Sequence, residues 1–152
     1  MRRTLVLGLF ILAVTAPNAQ ARVVHWANGS GHTTFASENR TFAFTAREYD
    51  DGTDRGEAQI VNRDVPVKAH ATIDCLRVMG NTAVLSGTID RSDNPSIPAG
   101  ARMLITVMDN GEGSGSPPDM ISFASLIGAA TDCNNAMLPP TQVVERGNVQ
   151  VR

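Results

Sequence analysis

Apolar and polar side chains alternate with a period of two along most of the chain, which is the pattern of half-buried β-strands. Phe42 and Phe44 alternate with smaller residues, and Asp50-Asp51-Gly52 supplies turn residues before the next alternating run. From Val67 to Cys75 the odd-numbered residues are apolar and the even-numbered ones are polar. The alternation changes phase after Cys75, which predicts a β-bulge at that point.

The second half of the chain predicts more short strands, separated by loops rich in glycine and proline. Gly80-Asn81 has the composition of a tight hairpin turn. Further strands are expected over residues 82–90, 103–108 and 121–127, with a closing hairpin in residues 143–151. The sequence therefore predicts an all-β fold, either an antiparallel β-sandwich or a small barrel, of about seven to eight strands.

The amino-terminal residues have the features of a secretory signal peptide. Arg2 and Arg3 precede an apolar run over residues 5–14, and Ala19-Gln20-Ala21 offers the small residues of a cleavage site. The apolar run covers about ten residues whereas a transmembrane helix needs about 20, so a retained anchor is the weaker interpretation. No carboxy-terminal anchor is expected either. We therefore expect a secreted or periplasmic protein with no membrane anchor after cleavage.

This interpretation divides the chain into three parts: a signal peptide over residues 1–21, a flexible lead segment over residues 22–32, and a single β domain over residues 33–152. The lead segment is expected to be flexible because it is rich in glycine. It also contains Trp26, which is a candidate contact residue for a partner or a tether to the β domain.

The charge balance excludes one class of partner. The chain has 13 basic and 15 acidic residues, and removal of residues 1–21 changes its formal net charge from −2 to −4. The arginines are scattered among acidic residues, without a basic patch interleaved with aromatics, so nucleic-acid binding is not expected. The partner classes that remain are a protein or a glycan at the cell surface.

Cys75 and Cys133 are the two cysteines of the chain. In an exported protein such a pair is usually oxidised, so we expect a disulfide that closes a long loop. A redox pair and a pair of metal ligands are the alternatives. The spacing does not match a Cys-x-x-Cys motif, and no further zinc ligands lie nearby in the sequence.

The densest polar segment is the loop over residues 109–119. Its side chains Asp109, Asn110, Glu112 and Asp119 carry the oxygen ligands that calcium prefers, although the spacing does not match a helix-loop-helix site. The structural alternative is that the aspartates accept backbone hydrogen bonds at turns while glycines supply positive φ. A catalytic carboxylate pair is a third interpretation. No other cofactor is expected.

Candidate catalytic residues are few. His25, His32 and His70 are the available imidazole bases, and no Gly-x-Ser-x-Gly nucleophile motif is present. His70 lies on the polar face of a predicted strand, where a cross-strand or solvated role is expected. The sequence therefore predicts no catalytic residue.

Several segments of the chain resemble a group of small exported bacterial all-β proteins of unknown function. The resemblance covers nearly all of the chain after residue 21, and the segments that carry it most clearly are Asp74-Cys75-Leu76, Gly80-Asn81-Thr82-Ala83, Asp109-Asn110-Gly111-Glu112-Gly113 and Pro118-Asp119-Met120-Ile121-Ser122. It implies an exported all-β domain with a cysteine in the Asp-Cys-Leu segment. It implies no activity and no catalytic residue.

The expected function is that of a binding or structural module of the cell surface or extracellular space. One alternative is a small-ligand-binding barrel, which requires an interior not already filled by Phe42, Phe44, Ile105 and Val107. A further alternative is a glycan-active enzyme that uses the acidic residues of the 109–119 loop. An empty pocket favours the ligand-binding protein, and carboxylates converging on a cleft favour the enzyme.

Overall fold

Ten β-strands and their connections make up residues 20–65 and 67–152, which are the residues that the computed structural model describes. The predicted signal peptide lies outside them, except for its last two residues. The strands are β1 (Val23–Phe35), β2 (Glu38–Tyr49), β3 (Asp54–Asn62), β4 (Val67–Met79), β5 (Thr82–Ser92), β6 (Arg102–Met108), β7 (Met120–Ser122), β8 (Ser125–Ile127), β9 (Thr141–Val143) and β10 (Arg146–Val151).

The strands form one antiparallel sheet in the order β10-β1-β2-β3-β4-β5-β6-β7-β9, and β8 also pairs with β6. The predicted all-β, antiparallel fold is confirmed. The sheet curls into a half-barrel, so a single sheet wraps around the core. Of the two predicted architectures, the structure is therefore nearer to the barrel than to a sandwich of two packed sheets.

The segment predicted as a flexible lead, residues 22–32, lies instead almost wholly within β1 between β10 and β2, so that prediction was wrong. Its glycines make room for aromatic rings of β2. A Cβ on Gly29 would lie 2.9 Å from the ring of Phe44, and one on Gly31 would lie 3.0 Å from the ring of Phe42. Small residues are thus required here by close packing, whereas sequence reasoning took them as a sign of flexibility.

The centre of the half-barrel is filled with side chains. Phe42, Phe44, Ile105 and Val107 all lie in one buried cluster, together with residues of most of the long strands. The ligand-binding alternative required that these four side chains leave an empty interior. Among the described residues, the centre of the half-barrel is therefore a packed core.

A β-bulge changes which face of β4 points inward. The pairing register of β4 with β5 shifts between Ile73 and Cys75, so the predicted bulge is present but precedes Cys75. Ile73 and Leu76 lie in the interior cluster, while Cys75 lies in a second cluster with Val84, Leu104 and Cys133. The bulge thus turns Cys75 to the outer face of the sheet.

The predicted disulfide joins Cys75 to Cys133, with the two Cα atoms 5.7 Å apart. Cys133 is fully buried, and with its partner it covers the outer-face side chains of Val84 and Leu104. The disulfide therefore fastens the irregular segment around residue 133 to the outside of the sheet.

The end of the chain does not form the predicted hairpin over residues 143–151. β9 pairs with β7, whereas β10 pairs with β1 at the other edge of the sheet. The curl brings these edges together: the Val144 N–H donates to the Asp119 carbonyl oxygen at 2.8 Å, and the Glu145 N–H donates to that of His32 at 2.9 Å. Two residues can therefore lead from one edge to the other.

Replacing both Cys75 and Cys133 by alanine should lower the free energy of unfolding by about 4 kcal/mol. The disulfide closes a separation of 58 residues, and its loss returns the corresponding closure entropy to the unfolded chain. Urea unfolding followed by the fluorescence of Trp26 measures the change. Met137→Ala is the control, because this side chain is 93% exposed. A loss no greater than that of the control would contradict the prediction.

Candidate functional site

Asp109 is hydrogen-bonded through both oxygens of its carboxylate. Its Oδ1 accepts the Gly111 N–H at 2.9 Å, within the loop, and its Oδ2 accepts the Val151 N–H at 3.0 Å. Val151 belongs to β10, at the far edge of the sheet. One aspartate therefore both shapes its own loop and binds the opposite edge.

Asp119 makes the matching pair of contacts and is only 8% exposed. Its Oδ1 accepts the Asn110 N–H at 2.9 Å, and its Oδ2 accepts the Val149 N–H at 2.7 Å. Val149 and Val151 are alternate residues of β10, so their N–H groups point away from β1. The two carboxylates thus occupy positions where a neighbouring strand would supply carbonyl acceptors.

The structure brings all four candidate metal-binding residues into one loop. Glu112 Oε1 accepts the side-chain amides of Asn148 at 2.8 Å and Gln150 at 3.3 Å, and the Asn110 amide donates to the Pro118 carbonyl oxygen at 2.7 Å. Among the described residues, no group of three or more His, Cys, Asp or Glu side chains is placed to hold a metal ion. Calcium binding at this loop stays a prediction.

The contacts of Asp109 and Asp119 are those of the structural alternative, in which the aspartates accept backbone hydrogen bonds. Gly111 and Gly113 have φ values of 91° and 115°, the left-handed conformation that glycine adopts most readily. The sequence could not show that the same two carboxylates also accept N–H groups of β10.

Each histidine lies beside a carboxylate from another segment of the chain. His25 Nδ1 lies 2.8 Å from Glu48, and His32 Nδ1 lies 3.2 Å from Glu145. His70 lies between Asp90 at 3.0 Å and Glu57 at 3.4 Å. The cross-strand role expected of His70 is thus present.

Trp26 lies in β1 with its side chain half-buried. Its backbone exchanges two hydrogen bonds with Arg152, both of 2.9 Å, which extend the pairing of β1 with β10. The residue is therefore part of the sheet and not of a free end. Its role as a contact residue stays a prediction.

A cavity of about 290 Å³ opens at the end of the half-barrel where β2 begins and β3 ends. Sequence reasoning missed it because its walls come from six strands and the loops between them. Its lining is mainly apolar, with four polar residues: the apolar ones are Ile60, Val65, Val67, Ala69, Ile89, Ile97, Met103, Phe123, Ala124 and Leu126, and the polar ones are Glu38, Arg40, Asn62 and Asn94. We call this cavity the end pocket.

One wall of the end pocket is made by an interruption in a strand. The sequence predicts a single strand over residues 121–127, but β7 and β8 pair separately with β6 and leave out Phe123 and Ala124. At the break the Thr106 N–H donates to the Ser122 hydroxyl oxygen at 2.8 Å. A side chain thus replaces the backbone acceptor of the missing strand pair at this point. Phe123 and Ala124 lie outside the pairing and line the pocket.

The polar wall of the end pocket is centred on Glu38. Its Oε2 accepts hydrogen bonds from Arg40 Nη2 at 2.5 Å and from the Asn62 side-chain amide at 2.7 Å. Both hydrogen bonds lower the pKa of Glu38, and the one from Arg40 has the larger effect. Glu38 is therefore a carboxylate at neutral pH, and it directly neutralises the Arg40 guanidinium.

Aromatic rings hold the Arg40 side chain in place. Its guanidinium carbon lies 4.2 Å from the ring centroid of Phe123 and 5.1 Å from that of Phe35. The two rings are themselves stacked, with centroids 5.2 Å apart. Arg40 is thus fixed by cation–π contacts as well as by its ion pair.

The β1–β2 turn positions Phe35 and Glu38 opposite each other. The two turn residues, Ala36 and Ser37, have φ values of 49° and 67°. A two-residue turn with both residues in this conformation usually contains asparagine or glycine. Because neither is present, the sequence offered no signal for the hairpin that carries this wall.

The chain matches no family model, and no curated protein or solved structure is significantly similar to it. The resemblance to small exported bacterial proteins therefore stays a prediction. Within residues 20–65 and 67–152, no helix has the length and apolar character needed to cross a membrane.

Asp54 is a carboxyl group with a perturbed pKa outside the end pocket. Its Oδ2 accepts the Leu76 N–H at 2.9 Å, beside the bulge of β4, while its Oδ1 is buried without a hydrogen-bond partner. Burial raises the pKa of Asp54, and the negative charges of Glu48 and Asp74 act in the same direction. The raised pKa of Asp54 thus arises at a residue that supports the backbone of β4.

Asp119→Asn should destabilise the protein by about 1 to 3 kcal/mol, because an amide oxygen can accept only one of the two N–H groups that the carboxylate binds. Glu112→Gln is the matched control: its oxygen still accepts the side-chain amides, and its exposed position predicts a change within about 0.5 kcal/mol. Urea unfolding gives both values, and hydrogen exchange at Val149 should be faster in Asp119→Asn. Equal stability of the two variants would refute the edge-bridging role.

Asp54→Asn should raise the melting temperature at neutral pH, since it removes a buried charge. A raised folded-state pKa means that protonation of Asp54 favours the folded protein, so the advantage of the variant should shrink as the pH falls. Asp51→Asn should behave oppositely, because hydrogen bonds from Thr53 lower the pKa of Asp51. Asp51 therefore contributes stability at neutral pH that is lost in acid. Thermal melts across pH measure both trends, and parallel profiles would contradict the assignment.

Proposed function

We propose that this protein is an exported, non-catalytic binding module that holds one small apolar molecule in the end pocket. The observation that carries the proposal is the pocket itself: a cavity of about 290 Å³ with mainly apolar walls and one small polar group. This combination is typical of small-molecule sites, in which apolar contacts supply affinity and a few polar groups set orientation.

The size of the end pocket supports a ligand of modest dimensions. Its volume of about 290 Å³ is about twice that of the ~150 Å³ engineered cavity that binds benzene. The rim is apolar as well, because Val65 is 44% and Leu126 is 50% exposed. A ligand with an apolar body would cover these side chains and gain about 25 cal/mol for each Å² removed from water.

The placement of the acidic residues supports binding over catalysis. Glu38 is the carboxylate that lines the end pocket, and it is already paired with Arg40 and Asn62. The oxygens of Asp109 and Asp119 accept backbone N–H groups at the edge of the sheet. These hydrogen bonds stabilise the fold, and they leave the glycan-active alternative without a free pair of carboxylates in that loop.

The disulfide supports the exported part of the proposal. Disulfides persist in oxidising compartments such as the periplasm and the extracellular space, and Cys75 and Cys133 are joined in this protein. We therefore retain a secreted or periplasmic destination as part of the proposal, with ligand capture at or outside the cell envelope as its function.

The proposal predicts saturable binding of a neutral, environment-sensitive dye such as N-phenylnaphthylamine, with a blue shift of its fluorescence. Leu126→Asp should weaken binding by about tenfold, because it places a carboxylate at the apolar rim. The matched control is Met137→Asp, since Met137 is 93% exposed and is not among the residues that line the end pocket. Non-saturable dye fluorescence, or an equal loss in both variants, would refute the proposal.

A further inference from the structure

The end pocket contains an ion pair whose two charges balance each other. Glu38 and Arg40 are the ionisable residues among those that line it, and they are joined by a 2.5 Å contact. Their side chains are only 31% and 12% exposed. The residues that line the pocket therefore carry no net charge, and the Arg40 side chain is mostly buried while Glu38 is partly exposed.

The remaining contacts of the pair restrict what a ligand can add. The Asn62 amide donates to the same Glu38 oxygen as Arg40, and the rings of Phe123 and Phe35 lie against the guanidinium. A ligand carboxylate placed next to Arg40 would bring its negative charge beside that of Glu38, which already neutralises the guanidinium. A ligand cation would likewise be repelled by the positive charge of Arg40.

We propose that the end pocket selects uncharged ligands and discriminates against carboxylates with the same apolar body. The inference rests on the proposed function and adds the class of ligand: a neutral molecule with a hydroxyl or carbonyl oxygen, such as an alcohol or a ketone. Bringing a second negative charge into an apolar pocket beside an ion pair whose charges already balance costs free energy, whereas a neutral oxygen can accept a hydrogen bond without that cost.

Asn94 also lines the pocket and supplies an amide group at its wall. Its Oδ1 accepts the Ser96 N–H at 2.8 Å, which orients the amide. An amide of this kind hydrogen-bonds neutral oxygen atoms and carries no charge with which to compensate an anion. The polar residues that line the pocket are therefore together matched to a neutral polar group of the ligand.

Decanol and decanoate are a suitable test pair, because they share the chain length and differ in the charge of the head group. In displacement of the dye at neutral pH, decanol should bind the wild-type protein at least about tenfold more tightly than decanoate. Decylamine, which is a cation at this pH, should also bind more weakly than decanol.

Glu38→Gln should reverse this selectivity. The glutamine oxygen can still accept hydrogen bonds from Arg40 and Asn62, while the charge of Arg40 loses its counter-ion. Decanoate should then bind about tenfold more tightly than it does to the wild-type protein and overtake decanol. A melting curve checks that the variant is folded. If it is not folded, the comparison of decanol with decanoate on the wild-type protein tests the proposal by itself.

The outcomes separate the two proposals. If neither decanol nor decanoate displaces the dye, and the dye itself does not saturate, the proposed function fails. Should decanoate bind the wild-type protein as tightly as decanol, the pocket binds ligands but does not select neutral ones. Unchanged selectivity in a folded Glu38→Gln variant would likewise overturn the role of the charge pair.

Discussion

A strand at the edge of a sheet leaves alternate N–H groups without a strand partner, and burial of such groups is costly. In this protein the edge is β10, and the carboxylates of Asp119 and Asp109 accept the N–H groups of Val149 and Val151. The rest of the fold depends on this contact, because it joins the loop after β6 to the opposite edge. A curled sheet that would otherwise end in an open edge is thereby bridged by two side chains.

The packed centre of the half-barrel and the end pocket arise from different local features of the strands. Gly29 and Gly31 let β1 approach the aromatic rings of β2, so the centre of the half-barrel is filled. At one end, the break between β7 and β8 withdraws Phe123 and Ala124 from the ladder and places them around a cavity. The same molecule is therefore tightly packed in its middle and open at its end.

The long strands with regular alternation were predictable because each strand records its own period in the sequence. β4 is an example, whereas β6 was predicted from its continuous apolar run. The two hairpin turns at Asp50-Asp51-Gly52 and Gly80-Asn81 were found from local composition. β1 was missed because its inward side chains are glycine, alanine and threonine, whose small size carries no apolar signal. The closing hairpin was wrong because strand pairing at the end of the chain depends on the curl of the whole sheet.

The sequence by itself determined the fold class, through the period of two, and the disulfide, since the chain contains one pair of cysteines. Only the tertiary structure decided what the acidic loop contacts: Asp119 and Asp109 bind residues 30 and 42 positions away along the chain. It also decided the end pocket, where Glu38 and Arg40 meet Phe123. Alternation is a local property of one strand, whereas a cavity and a bridged edge exist only when distant strands are brought together.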